Sequence, residues 1–210
     1  RFSYLFSEDN KSEIKKLSRQ FLNVTFLISV PCCCGIILVA DQIVEVLFGV
    51  EFLPAISTIR ILSILIVLMP LSGGVFCQLL LTAGKEKSYL ACVLIGTVVN
   101  AVLNYLLIPT LTQNGAAIAS VIAEFTVSIS MIVATRRTIK VNMCCRDVFS
   151  ILTSAFFMSL TLVLCHKLFS GQAVWMRLLV EIVIAVLVYF LCVFMLKNSA
   201  SSKIIRMIKK

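Results

Sequence analysis

Histidine, acid and charge of any kind are scarce in this sequence. It holds one histidine, His166, and ten Asp and Glu against nineteen Lys and Arg, so that 14% of its 210 residues are charged. Soluble domains average about 25%. With one histidine, at a span end, and no Ser/His/Asp or HExxH pattern, there is no catalytic constellation, and the chain does not read as an enzyme. Nine cysteines are present, three of them in a row at Cys32, Cys33 and Cys34, but none forms a CxxC pair. That spacing gives no metal or redox motif, and the cysteines read as small apolar side chains within helices. No glycine-rich phosphate loop occurs, which removes a nucleotide-driven motor. The basic residues lie between apolar runs rather than along one face, so the net charge of +9 does not indicate nucleic acid. No cofactor is implied.

What the sequence has is apolar length. Sixty per cent of the residues are hydrophobic and the mean hydropathy is +1.05, more apolar surface than a water-soluble fold of this size can hide. Six stretches reach the roughly 20 helical residues needed to cross a hydrocarbon core of about 30 Å. They are Phe21–Ala40, Ala55–Thr82, Tyr89–Ile108, Ala116–Thr135, Val148–Phe169 and Val174–Leu196. The runs are continuous rather than alternating, which excludes a spanning barrel. The expected fold is all-α, a polytopic transmembrane bundle.

Charge orients the spans. Sixteen of the nineteen basic residues fall before the first span, between the second and third, between the fourth and fifth, and after the sixth; only Arg60, Lys167 and Arg177 lie on the opposite side. The positive-inside rule then puts both ends in the cytoplasm. The expected organisation is a cytoplasmic interfacial helix at 1–20, four spans at 21–135, a basic cytoplasmic loop at 136–147, two further spans at 148–196 and a basic tail at 197–210. Asn10 is placed to cap a helix carrying Ile14, Leu17 and Phe21 at helical spacing. Ile204, Ile205 and Ile208 repeat that pattern in the tail. Both segments suit an anionic membrane surface, or serve simply to keep the ends cytoplasmic.

Prolines interrupt two spans. Pro31 lies in the first, and Pro70 in the second with Gly73 and Gly74 close behind. Each removes a backbone donor and bends its helix, as a hinge or as a static kink. Pro109 sits instead at a span end beside "PTLTQNG" and reads as a helix terminator.

Polar groups at depth are the candidates for a site. Asn100 and Asn104 share one helix face and either bond between helices or line a polar pathway. Gln78 lies in the inner half of the second span and Arg60 near its outer end. Glu181, in the outer half of the sixth span, is near enough to an interface to reach water. Glu124 stands at mid-depth in "GAAIASVIAEFTVSISMIVATRR", where an ionised acid costs about 2.5–3.5 kcal/mol by insertion scales. It must face protein or a water-filled cavity, or carry a proton. Its small neighbours Gly115, Ala116, Ala117, Ala119, Ser120 and Ala123 let another helix approach closely. Glu124 is therefore a pathway acid or a partnered structural one.

The order "RFSYLFSEDNKSEIKKLSRQF", "LISVPCCCGIILVADQIVEVLFGVEFLPA", "LLLTAGKEKSY" and "VVNAVLNYLLIPTLTQNGAAIASVIAEF" resembles the polysaccharide-transport branch of the multidrug/oligosaccharidyl-lipid/polysaccharide exporter superfamily, which includes O-antigen and other lipid-linked oligosaccharide flippases. The resemblance covers about the first 135 residues. It implies the last six helices of a fourteen-helix transporter of the bacterial cytoplasmic membrane; the start on Arg1 agrees with a C-terminal portion. The implied partners are an undecaprenyl-diphosphate-linked oligosaccharide, membrane lipids, a coupling H+ or Na+ and the N-terminal bundle of the same protein. On that resemblance Arg60 would meet the diphosphate and Glu124 would bind the coupling ion. A drug/cation antiporter of the same superfamily and a non-transporting membrane scaffold remain the alternatives.

Overall fold

Asn10 opens the first helix as the sequence suggests: its Oδ1 accepts the Glu13 N–H at 3.2 Å and the Ser12 hydroxyl at 3.0 Å. This computed structural model describes residues 10–136, 139, 141, 143–169, 171 and 173–199. Helix α1 runs over Lys11–Leu47 with no break at residue 20, the expected end of an interfacial segment. Ile14 is almost wholly buried, and Ser18 and Leu22 continue its face. That face is thus packed against protein. A 3-10 turn, Val50–Phe52, leads to α2 (Ala55–Leu62), α3 (Leu65–Met69), a π-helical segment at Pro70–Phe76 and α4 (Cys77–Thr82). Then come α5 (Glu86–Arg136), α6 (Cys145–Leu168) and α7 (Val174–Met195). Among the described residues all regular structure is helical.

Among the described residues, five helical stretches are long and apolar enough to cross a membrane: α1, the stretch Ala55–Thr82, α5, α6 and α7. The sequence leads to six spans, and the difference lies in α5. It counts 51 residues but breaks at Thr112, whose φ of 50° and ψ of −128° are not helical. The break falls inside "PTLTQNG", three residues after Pro109. Its two arms pack on each other. A Cβ on Gly96, in the first arm, would collide with the Val127 side chain of the second and come within 3.4 Å of the Ala123 carbonyl oxygen. Gly115 presses in the same way against the backbone of Leu107. Ala117, Ala119 and Ala123 are buried, so the small residues around Glu124 do admit a neighbouring helix.

The described chain divides into two compact units. The first takes its residues from Arg1–Thr25 and Ile64–Met143, the second from Phe26–Ser63 and Cys144–Lys210. In the second, α6 buries Asp147, Ile151, Ser154, Met158, Leu162 and Cys165, and α7 buries Leu178, Glu181, Ala185, Tyr189 and Val193. Both stripes follow the 3.6-residue period. The opposite faces expose Phe156, Leu160, Val163, Val183, Leu187 and Phe190. Small and polar groups inside with large apolar groups outside is the pattern of a fold whose solvent is hydrocarbon.

Pro31 leaves α1 unbroken. In a regular helix its missing N–H would have bonded the carbonyl four residues back, that of Leu27. The Tyr189 hydroxyl, buried on α7, donates to that oxygen instead, at 2.8 Å. At the other end of the unit, buried Asp147 accepts the backbone N–H of Ser199 at 3.0 Å and its hydroxyl at 2.8 Å. Parts of the expected loop at 136–147 (residues 137, 138, 140 and 142) lie outside the described residues, as do 1–9 and the tail from 200 to 210 with Ile204, Ile205 and Ile208.

Candidate functional site

The first unit contains a cleft of about 540 Å³. Glu124 lines it together with Asn100, Ser72, Gly73, Ser120 and Tyr89. Leu65 and Met69 of α3 line it too; the π segment supplies Ser72 and Gly73, the first arm of α5 supplies Asn100, and the second arm supplies Glu124. Pro70 starts the π segment, which also holds Gly73 and Gly74. Such wide turns shift the backbone bonds by one residue and concentrate at functional sites. Ser72 lies in the widened turn with 2% of its surface exposed. Its hydroxyl points to Glu124 Oε1 in a close contact, with the Leu68 and Met69 carbonyls within 3.3 Å as alternative acceptors. One hydroxyl has one hydrogen, so Ser72 can donate to only one of these three acceptors at a time.

Asn104 donates from Nδ2 to Asn100 Oδ1 at 2.8 Å. The pair bond along their own helix, and that contact orients Asn100 at the cleft wall. The other expected pathway residues are elsewhere. Gln78 is exposed beyond the π segment. Arg60 belongs to the second unit, where its Nε donates to the Ile37 carbonyl at 3.1 Å and its guanidinium lies 3.9 Å from Asp41. Pro31 belongs to that unit too.

The second unit holds a polar centre that sequence reasoning missed. Glu181 has 1% of its surface exposed and does not reach water as its position in the span suggests. Gln42 Nε2 donates to Glu181 Oε2 at 2.7 Å and lies 2.9 Å from His166 Nδ1. Glu181 Oε1 faces His166 Nδ1 at 3.8 Å and Arg177 Nε at 3.7 Å. The Arg177–Glu181 spacing of four was visible in the sequence and could have flagged the pair. Gln42 and His166 are 139 and 15 residues from Glu181, so nothing local announced them.

Beside this centre lies a cavity of about 200 Å³ bordered by Asp41, Arg60, His166, Lys167 and Glu181. A larger apolar groove of about 410 Å³ runs between α1, α6 and α7, lined by Leu27, Ile36, Met158, Ile182 and Phe190 among others. No group of three or more His, Cys, Asp and Glu side chains suited to a metal occurs among the described residues. Cys32, Cys33 and Cys34 are free thiols.

The profile of the family described as "Lipid II flippase MurJ" matches residues 1–194. No curated protein matches the chain. A solved structure titled "Lipid II flippase MurJ, inward closed conformation" is similar with a TM-score of 0.74 and 14% sequence identity, over 100% of this chain and 42% of that one. At such identity the likeness is one of fold alone. The chain therefore spans less than half the length of that flippase. The superfamily reading of the sequence holds at the level of a flippase; the matched branch is that of lipid II rather than polysaccharide transport. Proteins of this kind are multi-pass transporters of the inner membrane and not enzymes. By the match across most of its length, the chain belongs to the MurJ family of lipid II flippases.

Proposed function

We propose that this chain is the C-terminal portion of a transporter that moves a lipid-linked peptidoglycan precursor of the lipid II class across the inner membrane by alternating access. The observation that carries this reading is the family match over residues 1–194. A cavity spares the polar headgroup the cost of entering hydrocarbon, while the lipid tail stays in the bilayer. The N-terminal bundle of the same protein would complete that cavity.

Six spans with both ends cytoplasmic fit this reading best. A straight helix of 51 residues would be about 77 Å long at 1.5 Å per residue, well over twice the hydrocarbon thickness. The break at Thr112 and the close packing of the two arms support reading α5 as a membrane hairpin. With α5 counted as two, the basic residues fall on alternate connections as the positive-inside rule requires.

Within the fragment, Glu124 is the pathway acid, and a coupling H+ or Na+ is its natural ligand. Asn100 and Asn104 extend the polar wall. Gln78 and Arg60 complete the set of polar groups proposed to meet substrate or ion, Arg60 as the group of choice for a diphosphate. The π segment with Pro70, Gly73 and Gly74 is the hinge, because a widened turn next to the acid can change its hydrogen bonds without unfolding. A ligand moves such an element only through unequal affinity for its two states.

The test is complementation of cells depleted of their lipid II flippase by the complete gene, scored for lipid II trapped on the cytoplasmic side. Wild type is expected to relieve the block. Glu124→Gln keeps an acceptor for the Ser72 hydroxyl but removes the ionisable group, and is expected to slow transport about 10- to 100-fold. Rescue of surface oligosaccharide export in place of lipid II translocation would return the assignment to the polysaccharide branch. Altered drug efflux alone would point to an antiporter. Full transport by Glu124→Gln with lowered stability would make the acid a scaffold element.

A further inference from the structure

The polar centre of the second unit has an unfinished hydrogen-bond pattern. Gln42 Nε2 carries two hydrogens, and the two neighbours within reach are Glu181 Oε2 at 2.7 Å and His166 Nδ1 at 2.9 Å. Both bonds form together when neither Glu181 Oε2 nor the ring nitrogen Nδ1 carries a hydrogen, the ring's hydrogen then being on Nε2. Meanwhile Gln42 Oε1 and Glu181 Oε1 are buried without a hydrogen-bond partner. Arg177 Nε, also buried, has none either. A buried network with orphaned acceptors is expensive, and it has a second arrangement available.

We propose that Gln42, His166 and Glu181 form a proton-binding site in which the Gln42 amide turns over as protons arrive. One proton adds to Glu181 Oε2 and turns the carboxylate into a carboxylic acid. The amide then rotates by half a turn, and its carbonyl oxygen takes the place of the NH2. There it accepts from the new O–H and from a hydrogen on His166 Nδ1. That second hydrogen comes from a further proton, which makes the ring an imidazolium, or from a change of ring tautomer with no further uptake. Two protons or one are thus bound; the rotated Nε2, with its two hydrogens, then stands where Oε1 stood.

The surroundings favour a proton over other ligands. Arg177 approaches Glu181 Oε1 from its own helix at 3.7 Å, and its positive charge opposes a metal cation there. The carboxylate itself opposes an anion. The Cys165 thiol of α6 also interacts electrostatically with Glu181, and Lys167 on that helix, Asp41 on α1 and Arg60 on α2 border the adjoining cavity. His166 is the route of entry, because 42% of its side chain is exposed while Glu181 is sealed. The site lies where α6 ends and α7 begins, the side that the basic-residue pattern gives to the cell exterior.

The test uses the full-length protein in lipid nanodiscs with ¹⁵N-labelled histidine and glutamine and ¹³C-labelled glutamate. His166 and Gln42 are assigned by difference against His166→Gln and Gln42→Met. At high pH the ring is expected with its hydrogen on Nε2. On acidification the ring, the Gln42 side-chain amide and the Glu181 carboxyl carbon should change together in one transition. In Glu181→Gln that joint transition should be lost. A ring with its hydrogen on Nδ1 at high pH, or an amide signal that stays still while the ring titrates, would overturn the proposal. So would a Glu181→Gln protein that keeps the joint transition. Should that variant not fold, the three wild-type signals decide the matter by themselves.

Discussion

Glu124 and Glu181 are two acids within apolar helices, and their surroundings differ in almost every respect. Glu124 is half-buried at a cleft of about 540 Å³ and meets one hydroxyl, Ser72, from a widened turn. Glu181 is sealed among Gln42, His166 and Arg177, drawn from three places in the chain. The prolines of the two units differ in the same sense. Pro31 sits in an unbroken helix and its freed carbonyl is taken by Tyr189. Pro70 opens a π segment whose serine has three acceptors within reach. One unit encloses its acid among partners drawn from distant parts of the chain, with Gln42 Oε1, Glu181 Oε1 and Arg177 Nε left without a hydrogen bond. The other keeps an acid, a cleft and a deformable turn next to one another, which is where a moving part belongs.

The sharpest break of this comparison is removal of the acids. Glu181→Ala strips the charge partner from Arg177, whose side chain is 13% exposed, and the acceptor from Gln42. Breaking such a buried set costs about 3–5 kcal/mol, enough to consume much of the stability of an ordinary domain. Glu124→Ala removes a single partner from Ser72, which still has two helix carbonyls in reach, and should cost about 1 kcal/mol or less. Unfolding of both variants in matched detergent micelles measures the gap. Equal losses would mean that Glu124 is as structural as Glu181.

Much of this contrast was legible in the sequence at the level of elements and very little at the level of partners. The cap at Asn10, the chain break inside "PTLTQNG" and the small residues flanking Glu124 are local signals, and the structure carries each of them. The stripes of α6 and α7 follow from period alone. The helix α1, however, continues through Asp41 and Glu45 to Leu47, because a helix need not stop where its apolar run stops. Ser72 and Glu124 are 52 residues apart and Gln42 and Glu181 are 139 apart. Such pairs depend on how helices pack, and no spacing rule within one segment encodes that. Arg60 shows the converse. Its position in the span was clear, but its choice of Ile37 and Asp41 over the polar cleft could not be read from it.

A smaller effect separates the two prolines. Tyr189→Phe keeps the ring in place and removes the hydroxyl from the Leu27 carbonyl, at an expected cost of about 1 kcal/mol. In a Pro31→Ala background the helix can supply its own N–H to that carbonyl, so the same Tyr189→Phe change should cost about 0.5 kcal/mol or less. The double-mutant cycle, read from unfolding midpoints, gives the coupling directly. An equal cost in both backgrounds would mean that Tyr189 serves packing alone, and that Pro31 is as free to act as a hinge as Pro70.

The smallest expected change in stability carries the most information about motion. Neither Gly73 in the π segment nor Gly35 in α1 has an atom within 4 Å of where a Cβ would stand, so alanine meets no obstacle at either position. Inside a helix that exchange is worth about 0.5–1 kcal/mol in favour of alanine, chiefly by restricting the unfolded chain. Gly35→Ala should therefore raise the unfolding midpoint slightly and leave transport as it was. Gly73→Ala should give the same or a smaller gain in stability, because the π turn fits alanine less well than an α-helix does, and it should slow transport by stiffening the segment that carries Ser72. The pair of variants cancels the general effect of adding a methyl group and leaves only the effect of place. If Gly73→Ala transports at the wild-type rate while gaining as much stability as Gly35→Ala, the widened turn is a fixed feature of the fold, and the mobile element must be sought outside this segment.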